Sequence, residues 1–309
     1  MWKVFIDGRA GTTGLRITER LSLRRDIELM TLPEELRKDP TARRDIMNRA
    51  DIVFFCLPDD AAIEAAGLIE NEKTAIIDTS TAHRTQEGWI YGFPEISGLR
   101  EEIRQAKRIA NPGCHATGFI ALIAPLRELG ALSEEEELSC FSLTGYSGGG
   151  KKMIAEYEGD PRDALLDAPR AYGLSQRHKH LPEMVKRCGL LKPPVFCPVV
   201  APYYAGMEVL VPLHKDQLRC EKNELADLYK SYYQNGLVRY EEADENGFLS
   251  AGKMTGRDDL VISVEGNEER LLLTARFDNL GKGACGAAIQ NLNLLMGVPE
   301  TTGLIIQED

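Results

Sequence analysis

The chain lacks the marks of a disulfide scaffold or a zinc ribbon. Its seven cysteines are odd in number, scattered from Cys56 to Cys285, and never spaced C-x-x-C. Long apolar runs are absent too. None approaches the ~18 residues of a membrane-crossing helix, and the apolar run at Met1–Asp7 is too short for a secretory signal. None of the ten asparagines begins an Asn-x-Ser/Thr glycosylation site. Positive charge is scarce: 37 Lys and Arg against 48 Asp and Glu leave a formal charge of −11. That balance argues against general binding to nucleic acid or a membrane surface, which need basic surface. It leaves room for a local basic pocket that takes an anionic small molecule. These absences together predict a reducing, cytoplasmic setting.

What is present fits an ordinary globular protein, with 43% hydrophobic and 28% charged residues among 309, enough for two domains. The first third alternates strand and helix. Lys3–Asp7, Ile27–Leu32, Asp51–Leu57 and Ala75–Asp78 read as strands, and Thr12–Leu23 and Ala61–Ile69 as helices. Asp51–Leu57 is one continuous apolar run stopped by Pro58, as in a parallel strand buried on both faces. The rhythm predicts an α/β fold with a doubly wound parallel sheet. Further on, Phe119–Leu129 reads as an apolar helix, and Ser133–Glu136 fits a capping box that opens another. Strands follow at Leu138–Thr144, Pro194–Pro202, Glu208–Pro212, Val261–Glu265 and Arg270–Asp278, then a last helix at Gly286–Met296. More strands than helices predict an α+β second domain with a mixed or antiparallel sheet.

Five motifs carry chemistry. Gly8-Arg9-Ala10-Gly11-Thr12-Thr13-Gly14 follows a strand and opens a helix. Glycines let the backbone approach a phosphate, and a helix start offers N–H groups and the positive end of a dipole. The context points to a nucleotide, with a structural turn as the rival reading. No acid follows the second strand at Met30-Thr31-Leu32 to hold ribose hydroxyls, whereas Arg9, Arg37 and Lys38 lie nearby. That tilts the choice from NAD to NADP, unless these are merely solvated surface charges. Asn111-Pro112-Gly113-Cys114-His115-Ala116-Thr117-Gly118 places a cysteine at a helix start, where exposed N–H groups favour the thiolate nucleophile. Cys56 and Cys140 lie in apolar runs and read as inert core residues.

Arg177-His178-Lys179-His180-Leu181-Pro182-Glu183 brings two of the five histidines together. Thiol chemistry needs an acid/base near neutral pH, and a carboxylate could orient it. Spacing does not choose between His178 and His180; no third and fourth metal ligand accompanies them, and a basic surface loop is the bland alternative. Thr144–Lys152 contains Ser147, Gly148, Gly149 and Lys151, which suit a phosphate or carboxylate, or else form a linker. Asp78–Arg84 lies past a strand's carboxyl end, where open α/β sheets collect ligands; Arg84 could hold an anion or face solvent.

In this order the motifs resemble N-acetyl-gamma-glutamyl-phosphate reductases in their shorter form, within the group that holds aspartate-semialdehyde and glyceraldehyde-3-phosphate dehydrogenases. The resemblance spans nearly the whole chain: GRAGTTG, DTSTAHR, NPGCHATG, GYSGGGKK, HKHLPE and GKGACGAAIQNLNLLMG. Aspartate-semialdehyde dehydrogenases typically carry Asn before the cysteine, where Gly113 stands here. The resemblance implies a Rossmann-type NADP-binding domain at 1–114 and 285–309, and a catalytic and dimerisation domain at 115–284. It implies reduction of a small acyl phosphate by NADPH through a thioester on Cys114, in arginine biosynthesis, by a homodimer or homotetramer. One histidine of the pair would carry protons. Gly8–Gly14 and Asn291 would meet the cofactor; Arg84, Ser147, Gly148, Gly149, Lys151 and Glu183 the substrate; no metal is expected. The rivals are an aspartate-semialdehyde dehydrogenase, a catalytically silent NADP-binding redox sensor, and a Cys–His hydrolase, which leaves the glycine loop unexplained.

Overall fold

The computed structural model describes residues 1–243 and 246–306. Positions 244, 245 and 307–309, which the expected domain limits include, lie outside the described residues. The chain forms two compact units. The first joins Met1–Pro112 to Ala284–Leu304; the second is Gly113–Gly283 with the tail from Ile305. The returning stretch of the first unit runs to Leu304. Ile305 exchanges two backbone-directed hydrogen bonds with Asp258, at 2.7 and 2.8 Å.

The first unit is built from β1 (Trp2–Asp7), α1 (Thr12–Ser22), β2 (Ile27–Met30), α2 (Pro40–Met47), β3 (Ile52–Phe55), α3 (Asp59–Gly67), β4 (Ala75–Asp78), β5 (Ile90–Tyr91), α4 (Leu99–Gln105) and β6 (Arg108–Ala110). All strand pairs are parallel, in the order β2-β1-β3-β4-β6-β5. Successive side chains of a strand point to opposite faces. Hence Val4 and Ile6 join one core layer with Ile17, Leu21 and Phe54, while Phe5 joins the other with Val53, Phe55, Ile46 and Ala62. This is why β3 is apolar at every position. The chain leaves β1 for β2 on one side and returns to β3 on the other, which opens a crevice at the carboxyl ends of these strands.

The second unit holds α5 (Cys114–Glu128), β7 (Ser139–Gly145), α6 (Gly150–Glu158), β8 (Arg170–Ala171), α7 (Leu181–Cys188), β9 (Val195–Ala201), β10 (Met207–His214), α8 (Lys222–Tyr232), β11 (Val238–Tyr240), β12 (Leu260–Gly266) and β13 (Arg270–Phe277). Its sheet is mixed, ordered β11-β12-β13-β10-β7-β9-β8. Helix α5 is apolar on nearly all sides because it is enclosed. Gly118 lets it approach the sheet at Val209 and Phe277, and the hydroxyls of Tyr229 and Tyr233 donate to the carbonyls of Leu122 and Ala121. The chain then returns to the first unit with α9 (Gly286–Met296), also enclosed.

One local expectation fails. Ser133–Glu136 opens no helix; it is a turn in which the Glu136 N–H reaches the Ser133 carbonyl at 3.4 Å. β7 begins at Ser139, so no room remains for a helix to follow the cap. Among the described residues no helix is long and apolar enough to cross a membrane, and no cluster of His, Cys, Asp and Glu could hold a metal ion.

Candidate active site

Cys114 occupies the first position of α5, preceded by Gly113 in extended backbone. The Thr117 N–H is the first in the helix to find a carbonyl one turn back, at Gly113, 2.8 Å away. By helix geometry the first N–H groups of α5 have no carbonyl one turn back within the helix, so a helix start offers donors near the thiol. Cys114 is half-buried and lines a cavity of about 130 Å³ with Tyr172, His178, His180, Gly148 and Gly149. Gly283 packs beneath it: a Cβ there would stand 2.9 Å from Cys114 Cβ. Burial pushes the Cys56 thiol up to about 12 and also raises those of Cys140 and Cys188. Such thiols stay protonated and inert.

The two histidines stand just before α7, with His180 at its N-cap. His178 Nδ1 accepts the His180 N–H at 3.2 Å, and the two rings lie 4.8 Å apart, edge to face. Glu183, one turn into α7, links this segment to the cysteine. One carboxylate oxygen accepts the Gly113 N–H at 3.2 Å; the other lies 4.0 Å from His180 Nε2. Glu183 is 1% exposed, so its carboxylate is buried against the cysteine turn and near the His180 imidazole.

The other expected substrate residues divide. Gly148 and Gly149 line the cavity. Ser147 is buried beside it, its hydroxyl accepting from the Asn279 amide at 3.0 Å. Lys151 is exposed on α6 and does not line the cavity. Arg84 belongs to the first unit and is buried there, donating from Nε to the Asn111 carbonyl and from Nη2 to the Thr79 carbonyl. Its planar fork thus meets main-chain carbonyls from two loops of that unit.

Two cavity groups escaped the sequence reading. His115 is buried, with Nδ1 2.7 Å from Ser142 Oγ and Nε2 2.6 Å from the Tyr172 hydroxyl. Burial and the nearby His178 push its pKa down to about 3, so it is a neutral imidazole. Its place directly after Cys114 was a usable signal; Tyr172, in a loop remote in sequence, gave none.

In the first unit the glycine loop forms a close-fitting turn. Gly8 has φ +84°, and a Cβ there would stand 2.2 Å from the Cys56 carbonyl oxygen. A Cβ on Gly14 would stand 2.7 Å from the Gly8 carbonyl oxygen. The Gly11 N–H closes the turn on the Gly8 carbonyl at 3.0 Å. Thr12 Oγ1 is buried with no hydrogen-bond partner among the described residues. Beside the loop, a cavity of about 400 Å³ is lined by Gly8, Arg9, Ala10, Arg37 and Lys38. A side-chain-free backbone, an orphan hydroxyl and three cations fit a phosphorylated dinucleotide. Arg43 also lines this cavity, but it is committed to Asp7 at 2.7 and 3.1 Å. Asn291 is fully buried in α9, donating to the Gly92 carbonyl and the Asn111 side chain, at 3.0 and 3.2 Å. Its side-chain oxygen is buried with no hydrogen-bond partner among the described residues.

Both units have known relatives. Residues 3–106 match the family described as semialdehyde dehydrogenase, NAD binding domain, and residues 114–279 that described as semialdehyde dehydrogenase, dimerisation domain. N-acetyl-gamma-glutamyl-phosphate reductase 2 of Nostoc sp. is 42% identical, covering 98% of this chain and 99% of its own. N-acetyl-gamma-glutamyl-phosphate reductase of Chelativorans sp. is 45% identical, covering 95% and 98%. The crystal structure of aspartate semialdehyde dehydrogenase II from Vibrio cholerae shares the fold, with a TM-score of 0.70 at 17% identity over 96% of this chain and 99% of its own. With both units matched to semialdehyde dehydrogenase domains and such identity along almost its full length, the chain belongs to the N-acetyl-gamma-glutamyl-phosphate reductase family.

Proposed function

We propose that the chain reduces N-acetyl-gamma-glutamyl phosphate to N-acetylglutamate 5-semialdehyde with NADPH, releasing phosphate, as a step in arginine biosynthesis. It is an oxidoreductase acting on an acyl phosphate, and its substrate is a small molecule. The observation that carries the mechanism is the shared cavity: Cys114 at a helix start, the His178/His180 pair and the Gly148–Gly149 loop line one space.

The chemistry follows from these groups. Cys114 sulfur attacks the carbonyl carbon, the bond to the phosphate oxygen breaks, and phosphate leaves with the electron pair. N–H groups at the start of α5 stabilise the transient oxyanion. The product is a thioester on Cys114. When bound, NADPH supplies the hydride that converts the thioester carbon to the aldehyde level; Gly8–Gly14, Arg9, Arg37 and Lys38 would hold it. We assign proton transfer to His180, because it has a carboxylate partner in Glu183. It protonates the thiohemiacetal oxygen and takes that proton back as the C–S bond breaks and the electrons return to sulfur. The glycine loop after β7 takes the departing phosphate.

Self-association through the second unit is inferred from its dimerisation-domain match, and we favour a homodimer or homotetramer. A cytoplasmic setting suits a nucleophile that must stay reduced; all seven cysteines are thiols. Aspartyl phosphate is the alternative substrate, but Gly113 before the cysteine and the relatives' names favour the glutamyl compound. The test is Cys114→Ser: NADPH should still quench protein fluorescence, while reduction of the acyl phosphate should vanish. Turnover at the wild-type rate sinks the mechanism, and preference for aspartyl phosphate sinks the substrate.

A further inference from the structure

The mechanism leaves one row of cavity groups unused. It runs from Ser142 on β7, through His115, to Tyr172, which lines the cavity beside Cys114. Its hydrogens can be counted. Among the described residues, the Ser142 and Tyr172 hydroxyls each have His115 as their one hydrogen-bond partner. A neutral imidazole donates at one nitrogen and accepts at the other. If His115 donated from Nδ1, the hydroxyl hydrogen of the fully buried Ser142 would have no acceptor, a costly arrangement in a dry interior. The row therefore runs the other way. Ser142 donates to Nδ1, Nε2–H donates to the Tyr172 oxygen, and the Tyr172 hydrogen is left for the cavity. Burial supports this twice: it keeps His115 neutral, and with Cys114 nearby it holds the Tyr172 phenol protonated.

We propose that Ser142 and His115 are positioning residues that aim the Tyr172 hydroxyl into the cavity as a hydrogen-bond donor to the oxyanion formed when Cys114 attacks the acyl carbonyl. The proposal rests on the thioester reading above. No covalent step is added; Tyr172 keeps its proton throughout.

Tyr172→Phe is expected to lower kcat about 10²-fold, the usual loss for one oxyanion donor. In the reverse reaction the KM for inorganic phosphate should stay unchanged. Ser142→Ala should cost less, and the double variant should lose no more than Tyr172→Phe alone, because the serine acts only through the phenol. Nitrogen NMR of the wild-type enzyme with isotope-labelled histidine should find His115 protonated at Nε2, a readout independent of how the variants fold. Protonation at Nδ1 overturns the relay. So does a wild-type kcat in Tyr172→Phe, an additive loss in the double variant, or a raised phosphate KM at unchanged kcat. Cys114→Ser separates the two claims. An active Cys114→Ser enzyme overturns the thioester reading, whereas an inactive one beside a normal Tyr172→Phe overturns the relay alone.

Discussion

Replacing Glu183 by Gln tests whether its charge or its shape serves the reaction. The side chain is 1% exposed, accepts the Gly113 N–H at 3.2 Å, and stands 4.0 Å from His180 Nε2. Glutamine keeps an acceptor for Gly113 and removes only the negative charge. If His180 carries the proton during turnover, its imidazolium faces the carboxylate. At this distance and an effective dielectric of about 20, that attraction is about 4 kcal/mol. This is a ceiling, because relaxation and polar neighbours offset part of it. Survival of half gives about 30-fold in kcat, and of all of it about 10³-fold, at tenfold per 1.36 kcal/mol. The assay is steady-state NADPH oxidation with saturating acyl phosphate, on a variant whose thermal melt matches wild type. Glu183→Ala, which also strips the acceptor from Gly113, should be slower still. A wild-type kcat in Glu183→Gln beside an impaired Glu183→Ala would confine Glu183 to holding the cysteine turn, and the pairing with His180 would fall.

Gly8→Ala should weaken NADPH binding and lower the melting temperature, since left-handed backbone costs a residue with a side chain about 1–2 kcal/mol and the Cys56 carbonyl would be 2.2 Å from the new Cβ; an unchanged NADPH Kd refutes the cradle. Removing Arg37 and Lys38 together should raise the KM for NADPH about tenfold or more and leave that for NADH nearly unchanged, as loss of charged phosphate contacts demands; equal effects on both cofactors would remove these cations from the 2′-phosphate. His115 is held down at about 3, from an ordinary 6.5. Between those values the unfolded chain binds a proton that the folded chain does not, so stability falls as pH falls. From about pH 6.5 to about pH 5 this amounts to about 1.5 kcal/mol, and denaturant titrations should show that share missing in His115→Gln; identical pH dependence in both proteins refutes a buried neutral histidine.

Much of the fold was legible because burial writes itself into local pattern. The continuous apolar run around Ile52–Phe55 declared a strand covered on both faces, and Ala75–Asp78 and Gly286–Met296 were read to the residue. The error at Ser133–Glu136 arose because a capping box reports only local propensity, while β7 starts too soon for a helix. Charged and polar site residues were harder. Arg84, Asn291 and Glu183 look in sequence like polar site residues, and nothing local told that each is buried and hydrogen-bonded within its own unit.

The sequence by itself determined the βα rhythm, the glycine turn before α1, the cysteine at a helix start and the absence of any spacing suited to a metal. Each of these is a property of neighbours along the chain. Only the tertiary structure decided what depends on groups far apart in sequence. It placed Tyr172 against His115, linked Glu183 to Gly113, and set Arg84 against the Asn111 and Thr79 carbonyls. Hydrogen bonds and burial are settled by distance in space, and a polar side chain carries no mark of which partner the fold will bring to it.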